Sequence, residues 1–366
     1  MIILDGSRGE GGGQIVRSAL ALSTFTGIPF EMNNIRANRS EPGLKAQHLA
    51  GIKALIDCSD AKTSYIECGT SNFIFYPGPM KKGKFTVDIG TAGSITLLVQ
   101  TILLPALFAP GKITFIVKGG TCGLHQPSTT YFEKILLPQL QRFAKIDMRT
   151  LKRGYYPSGG GEIELTITPK LHSSSYSTFQ TLLEDVERIV RPYALARVSP
   201  TLQIPSIIKC YINVSRELEE KDIALRIKQS AQQTLRSLNV PVSFDIEYVT
   251  TSCIGGEVVL AAHILTNTDA PIIVGSDILL EKNITSEEIG KRVATKLLHI
   301  LDTKSLVDEF LCDQILPFAC LVPGSELFTS TITSHTTTNK DIIEQFLLPY
   351  RSISIHEKSH ILSISK

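Results

Sequence analysis

Gly11-Gly12-Gly13-Gln14 runs into an apolar stretch over residues 15–26, halts at Gly27, and resumes as Pro29-Phe30-Glu31-Met32. The order is a glycine-rich turn, a helix, a glycine stop and a short strand. It returns from Thr91-Ala92-Gly93-Ser94 through Leu98-Val99-Gln100 to Pro110-Gly111 and a β-rich run over 113–117. A third copy goes from Asp313-Gln314 through Leu321 to Pro323-Gly324 and Glu326-Leu327-Phe328. Three returns of one pattern mark an internal repeat.

Each copy owns a second, more amphipathic helix, over 44–56, 131–143 and 286–301, with apolar positions at three- and four-residue intervals. Short β-rich runs such as Phe73-Ile74-Phe75-Tyr76 and 162–167 lie between glycine and proline breaks. The expected fold is therefore α/β (α+β). A large domain of repeated units, each with two helices packed on a small β-sheet, is joined by a smaller inserted α/β domain. The Ser173-Ser174-Ser175 run opens the interruption, which gives limits of 1–173 and 268–366 for the large domain and 174–267 for the insert.

At 366 residues the chain exceeds what one core usually supports, and 43% hydrophobic with 20% charged residues places it among globular proteins. The formal charge of +2 gives no bulk field for nucleic acid, so any such site must be local. Residues 95–110 are too short to span a bilayer and contain Gln100 and Pro105, which reads as a buried helix and gives no membrane partner. The first residues do not form a secretory signal, and seven cysteines without a C-x-x-C pair indicate neither a disulfide framework nor a zinc site. A reducing, cytoplasmic location is expected.

Chemistry concentrates at four places. Arg8-Gly9-Glu10-Gly11-Gly12-Gly13-Gln14 allows close backbone approach to anionic oxygen, with Glu10 as a Mg²⁺ ligand, although a plain tight turn reads equally well. Residues 36–48 gather Arg36, Arg39, Lys45, Gln47 and His48 before a helix, suited to a terminal phosphate or to a solvated surface turn. Arg153-Gly154-Tyr155-Tyr156-Pro157-Ser158-Gly159-Gly160-Gly161 is a second glycine triplet, which also reads as a hairpin or bulge. Ser334-His335-Thr336-Thr337-Thr338-Asn339 follows the third copy's strand.

The 153–161 segment resembles the signature of RNA 3'-terminal phosphate cyclases: Arg-Gly, two residues, Pro, one residue, Gly-Gly-Gly. Similar to that family as well are residues 5–18, the 35–48 segment, Thr91-Ala92-Gly93-Ser94 and the Ser-His and Thr-Asn setting of His335. The resemblance implies an ATP-dependent enzyme that converts an RNA 3'-phosphate to a 2',3'-cyclic phosphodiester. His335 would carry AMP, Glu10 the metal, and Arg17, Arg36 and Arg39 would stabilise phosphates, with Arg36, Arg39, Gln47 and His48 holding the RNA end. ATP contacts carry over to Gln100, Pro127, Tyr131 and Phe310-Leu311-Cys312-Asp313-Gln314. Phe310 stands where many members have Tyr, which leaves an apolar contact without a phenolic hydrogen bond. The implied partners are ATP, Mg²⁺ and RNA with a 3'-phosphate; the oligomeric state stays open. The competing readings are a non-catalytic cyclase-like RNA-binding factor in ribosome biogenesis, whose members lack the histidine, and an enolpyruvyl transferase of similar repeated architecture.

Overall fold

The computed structural model describes residues 1–9, 11–124, 126–193, 205–264 and 271–366. In the first unit, strands Ile2–Asp5 and Phe30–Asn33 run parallel through helix Gly13–Thr26, and Phe73–Tyr76 and Lys62–Thr63 continue the sheet antiparallel after helix Ala46–Cys58. The helix is buried over most of its surface: Ile15, Val16, Leu20, Leu22 and Phe25 are buried, each contributing about 1.5–3 kcal/mol. It ends at Gly27, whose φ of 77° is the left-handed cap that glycine adopts without cost.

The second unit repeats this order. Gly83–Asp88 and Ile113–Gly119 are the parallel pair joined by helix Ile95–Ala106, and Gly161–Pro169 and Ala144–Lys152 complete the sheet. Its second helix covers residues 129–140 and widens to a π turn at Phe132–Leu136, just before Pro138, which has no N–H to give the regular ladder. The Ile95–Ala106 helix is buried over nearly its whole length, as its apolar sequence indicates. Among the described residues no helix is long and apolar enough to cross a membrane.

The third unit departs from expectation. Its first strand shrinks to a parallel bridge between Val307 and Thr329, after which helix Glu309–Ala319 leads to Glu326–Phe328, with Ile361–Ser365 and Ser352–His356 alongside. Its second helix is Ser334–Leu347, and not the 286–301 segment. The sequence misleads because 333–338 is rich in Thr, whose β-branched side chain is a poor helix former. That helix is instead started by a cap, the Thr333 hydroxyl accepting from the Thr336 N–H at 3.1 Å.

The amphipathic Ser286–Asp302 helix belongs to the smaller unit. There the sheet order is Val242–Val249, Pro205–Ser215, Gly256–Ile264, Ile272–Leu279, and helices Ile223–Leu235 and Ser286–Asp302 enclose a separate core around Ile208, Ile212, Ile227, Leu260, Val293 and Leu297. The opposite sheet face, with Val259, Ala261 and Ile273, joins the main core. Sheet and core therefore extend to Asp302, past the expected limit of 267. Residues 179–189 form a helix whose Leu182, Leu183 and Val186 enter the main core instead.

Candidate active site

Helices Gly13–Thr26, Ile95–Ala106 and Glu309–Ala319, one from each unit, converge beside Ser334–Leu347. A narrow cleft of about 40 Å³ opens between them, with Arg17, Ser18, Gln100, Asp313, Gln314 and Asn339 in its wall. Ser94 and Asp308 cap the second and third of the converging helices with their side chains. The Gly13–Thr26 helix has no side-chain cap hydrogen bond at its start, a condition that favours anionic ligands.

The polar groups are wired together across long stretches of chain. Gln14 donates from Nε2 to Asp313 Oδ2 at 3.1 Å, and Gln14 Oε1 lies 2.7 Å from His335 Nδ1. In its ionised form Asp313 only accepts, and so turns the amide of Gln14 with its oxygen toward the imidazole. That holds the hydrogen on Nδ1 and leaves the lone pair on Nε2. Arg17 donates from Nε to Gln100 Oε1 at 3.2 Å, Ser18 donates to Asn339 Oδ1 at 2.6 Å, and Asn339 donates to the Asp313 carbonyl at 2.7 Å. Burial pushes the Asp313 carboxyl up to about 7 against the pull of Arg17, and lowers Arg17 to about 10, so the guanidinium stays charged at neutral pH.

The 36–48 segment flanks the glycine turn. His48 accepts from the Lys45 N–H through Nδ1 at 3.0 Å, and its Nε2, buried without a partner, faces Gly13. Burial, aided by Arg17, Arg36 and Lys45, lowers His48 to about 3, so the ring is neutral and its Nε2 carries an unused hydrogen. Gln47 Oε1 accepts from the Ser94 N–H at 3.2 Å, tying this helix to the Thr91-Ser94 turn. The Arg39 guanidinium lies beside Gly12, whereas Arg36 donates to its own loop, at the carbonyls of Glu41 and Gly43.

The remaining expected residues divide. Phe310 is about half exposed, but Leu311 and Cys312 are fully buried, so their side chains face the core. Tyr131 is also buried and donates its hydroxyl to Asp308 Oδ2 at 2.6 Å. Pro127 is fixed by its carbonyl, which accepts from the Thr96 hydroxyl at 2.7 Å. Glu10 lies outside the described residues, and among the described residues no group of three or more His, Cys, Asp or Glu side chains is placed to hold a metal. Mg²⁺ needs only one or two carboxylates when phosphates supply the other oxygens, and Asp313 is a pocket carboxyl of that chemistry. Gln14, Ser18 and Asn339 were not singled out as site residues from sequence. Gln14 directly follows the glycine triplet, which was the available signal.

The 153–161 segment is not in the pocket wall. Arg153 donates to Glu257 at 2.7 Å and to Glu247 at 3.1 Å, both in the smaller unit. Glu257 also accepts from Thr130 at 2.6 Å and Asn213 at 3.1 Å. A β-carbon on Gly159 would sit 2.8 Å from Ala92 Cα, so this glycine turn seats against the Thr91-Ser94 turn.

The crowding at Gly13 makes a prediction. A β-carbon there would lie 2.2 Å from His48 Nε2 and 2.8 Å from Cε1. Gly13→Ala is expected to cost about 1–3 kcal/mol in thermal unfolding, and to be non-additive with His48→Ala by at least about 1 kcal/mol because removing the ring relieves the clash.

Three like units bring a buried arginine and a carboxyl to one cleft, with His335 joined to it through Gln14, an arrangement suited to an anionic ligand. Residues 8–350 match the family model of RNA 3'-terminal phosphate cyclase. The chain is 35% identical over 347 residues to the RNA 3'-terminal phosphate cyclase of Pyrococcus furiosus, covering 94% of this chain and 93% of that one. It is 36% identical over 349 residues to the enzyme of the same name from Archaeoglobus fulgidus, covering 95% and 96%. The chain belongs to the RNA 3'-terminal phosphate cyclase family of enzymes.

Proposed function

We propose that this enzyme uses ATP to convert an RNA 3'-phosphate into a 2',3'-cyclic phosphodiester in the cytoplasm, through His335-AMP and RNA-adenylate intermediates. The observation that carries the reading is the Asp313, Gln14, His335 series of hydrogen bonds, which orients Nε2 of the imidazole as a nucleophile. Neutral imidazole attacks the α-phosphorus, the bond to pyrophosphate breaks, and a reactive phosphoramidate forms. Arg17 and the start of the Gly13–Thr26 helix offset charge that grows on phosphate oxygen. Mg²⁺ bound with ATP would neutralise phosphate charge, with Asp313 and Glu10 as candidate ligands.

The RNA 3'-phosphate then displaces histidine from the adenylate. Arg39 and the His48 N–H are the proposed grip on that phosphate, both next to the glycine turn. The vicinal 2'-hydroxyl attacks the activated phosphorus and expels AMP. Nucleophile and electrophile already share a ribose, so the protein need only hold their geometry. A nearly neutral chain suffices for this task because it grips one terminus rather than a long strand.

The test is incubation with Mg²⁺, α-labelled ATP and 3'-phosphorylated RNA. The wild type is expected to take an acid-labile, alkali-stable label and to release cyclic-ended RNA, and His335→Ala to do neither. Label retained by His335→Ala would refute the assignment.

A further inference from the structure

The smaller unit reaches the segments read above as nucleotide contacts. Lys296, on its Ser286–Asp302 helix, holds its ammonium 4.4 Å from the centre of the Phe310 ring and 3.8 Å from Asp277 Oδ1. Asp277 lies on the strand Ile272–Leu279 of the same unit, and the backbone N–H of Ser128, the residue after Pro127, is near enough to favour its charged form. One ion pair of the smaller unit therefore touches the Phe310 ring and lies beside the Pro127-Ser128 turn.

A second link supports the same base. Asp308 accepts from the N–H groups of Phe310 and Leu311 at 3.1 and 3.0 Å, fixing the backbone that carries the ring. Its other oxygen accepts from Tyr131 at 2.6 Å and from the Gly275 N–H, again of the smaller unit, at 3.3 Å. Phe310 itself is 46% exposed. A cation on one face of an aromatic ring is attracted by its quadrupole and leaves the other face for a flat ligand.

We infer that the smaller unit forms one side of the nucleotide site, with Lys296 and Asp277 as positioning residues that set the Phe310 ring and the Pro127-Ser128 turn for a purine base. This rests on the reading of Phe310 and Pro127 as nucleotide contacts, and it gives the insert a role in ATP binding beyond covering the sheet. Neither residue touches a reacting atom, so their loss acts on ATP affinity and leaves the later chemistry intact.

The experiment separates those steps. Lys296→Met keeps the aliphatic stem and removes the charge. It is expected to raise KM for ATP about tenfold in His335 labelling while leaving kcat within about twofold. Cyclisation of chemically pre-adenylated RNA, which needs no ATP, is expected to proceed at the wild-type rate. Lys296→Arg is expected to restore most of the ATP affinity, and Asp277→Asn to weaken it. A wild type that takes no label would sink the functional reading itself. A labelled wild type with unchanged KM in Lys296→Met would sink only this inference, as would an equal loss on pre-adenylated RNA.

Discussion

Arg153→Ala is expected to lose about 3–5 kcal/mol of stability, among the largest effects of any single substitution in this chain. Its guanidinium is 11% exposed and its partner Glu257 only 1%. Among the described residues, removing the arginine leaves a buried carboxylate with Thr130 and Asn213 as its remaining donors. The exposed Glu247 adds little to the pair, since water screens it. Urea unfolding followed by circular dichroism measures the loss. Adding Glu257→Gln should recover about 1–3 kcal/mol, because a neutral amide costs less to bury than an unpaired charge. A variant of wild-type stability would mean that this ion pair does not pin the smaller unit to the second repeat.

Asp313→Asn is expected to gain stability above neutral pH while losing activity. Burial raises this carboxyl from its ordinary 3.8 to about 7 in the folded protein. The folded state thus retains a proton that the unfolded chain releases, and wild-type stability falls as pH rises from about 4 through 7. The full shift corresponds to about 4 kcal/mol, and solvent in the open cleft reduces it to about 2–4 kcal/mol. The amide does not titrate, so the variant should exceed the wild type by that margin at pH 8 and match it at pH 4 in thermal unfolding. Activity should drop because an amide can present Gln14 with a donor instead of an acceptor, which releases the orientation of His335. Parallel stability curves across pH would exclude Asp313 as the strained group.

Much of this arrangement is legible in the sequence. The first two copies of the repeat announce themselves because glycine turns and apolar helices are local signals, and Arg17, Gln100 and Asp313 line one cleft with His335 hydrogen-bonded to Gln14 beside them. The third copy was half legible. Its Thr-rich second helix lacks a helical signature, and Ser286–Asp302, with a clean amphipathic face, was assigned in its place. The proposed roles of Gln14, Asp277 and Lys296 are not legible in the sequence, since each depends on a partner far along the chain, as Gln14 and His335 stand 321 positions apart. The 153–161 signature was legible as a motif but not as a junction, because nothing local marks Glu257 as its partner.

Counting from the caps at Gly12, Ser94 and Asp308, the fifth helical positions are Arg17, Val99 and Asp313, and the sixth are Ser18, Gln100 and Gln314. One scaffold address has thus been filled with a cation, an aliphatic group and an acid, a division of labour among sister copies. No single copy holds a complete set, so a truncated chain missing any of them keeps fragments of the cleft and none of its chemistry. On the proposed reading, nucleotide occupancy would report that all three have been assembled.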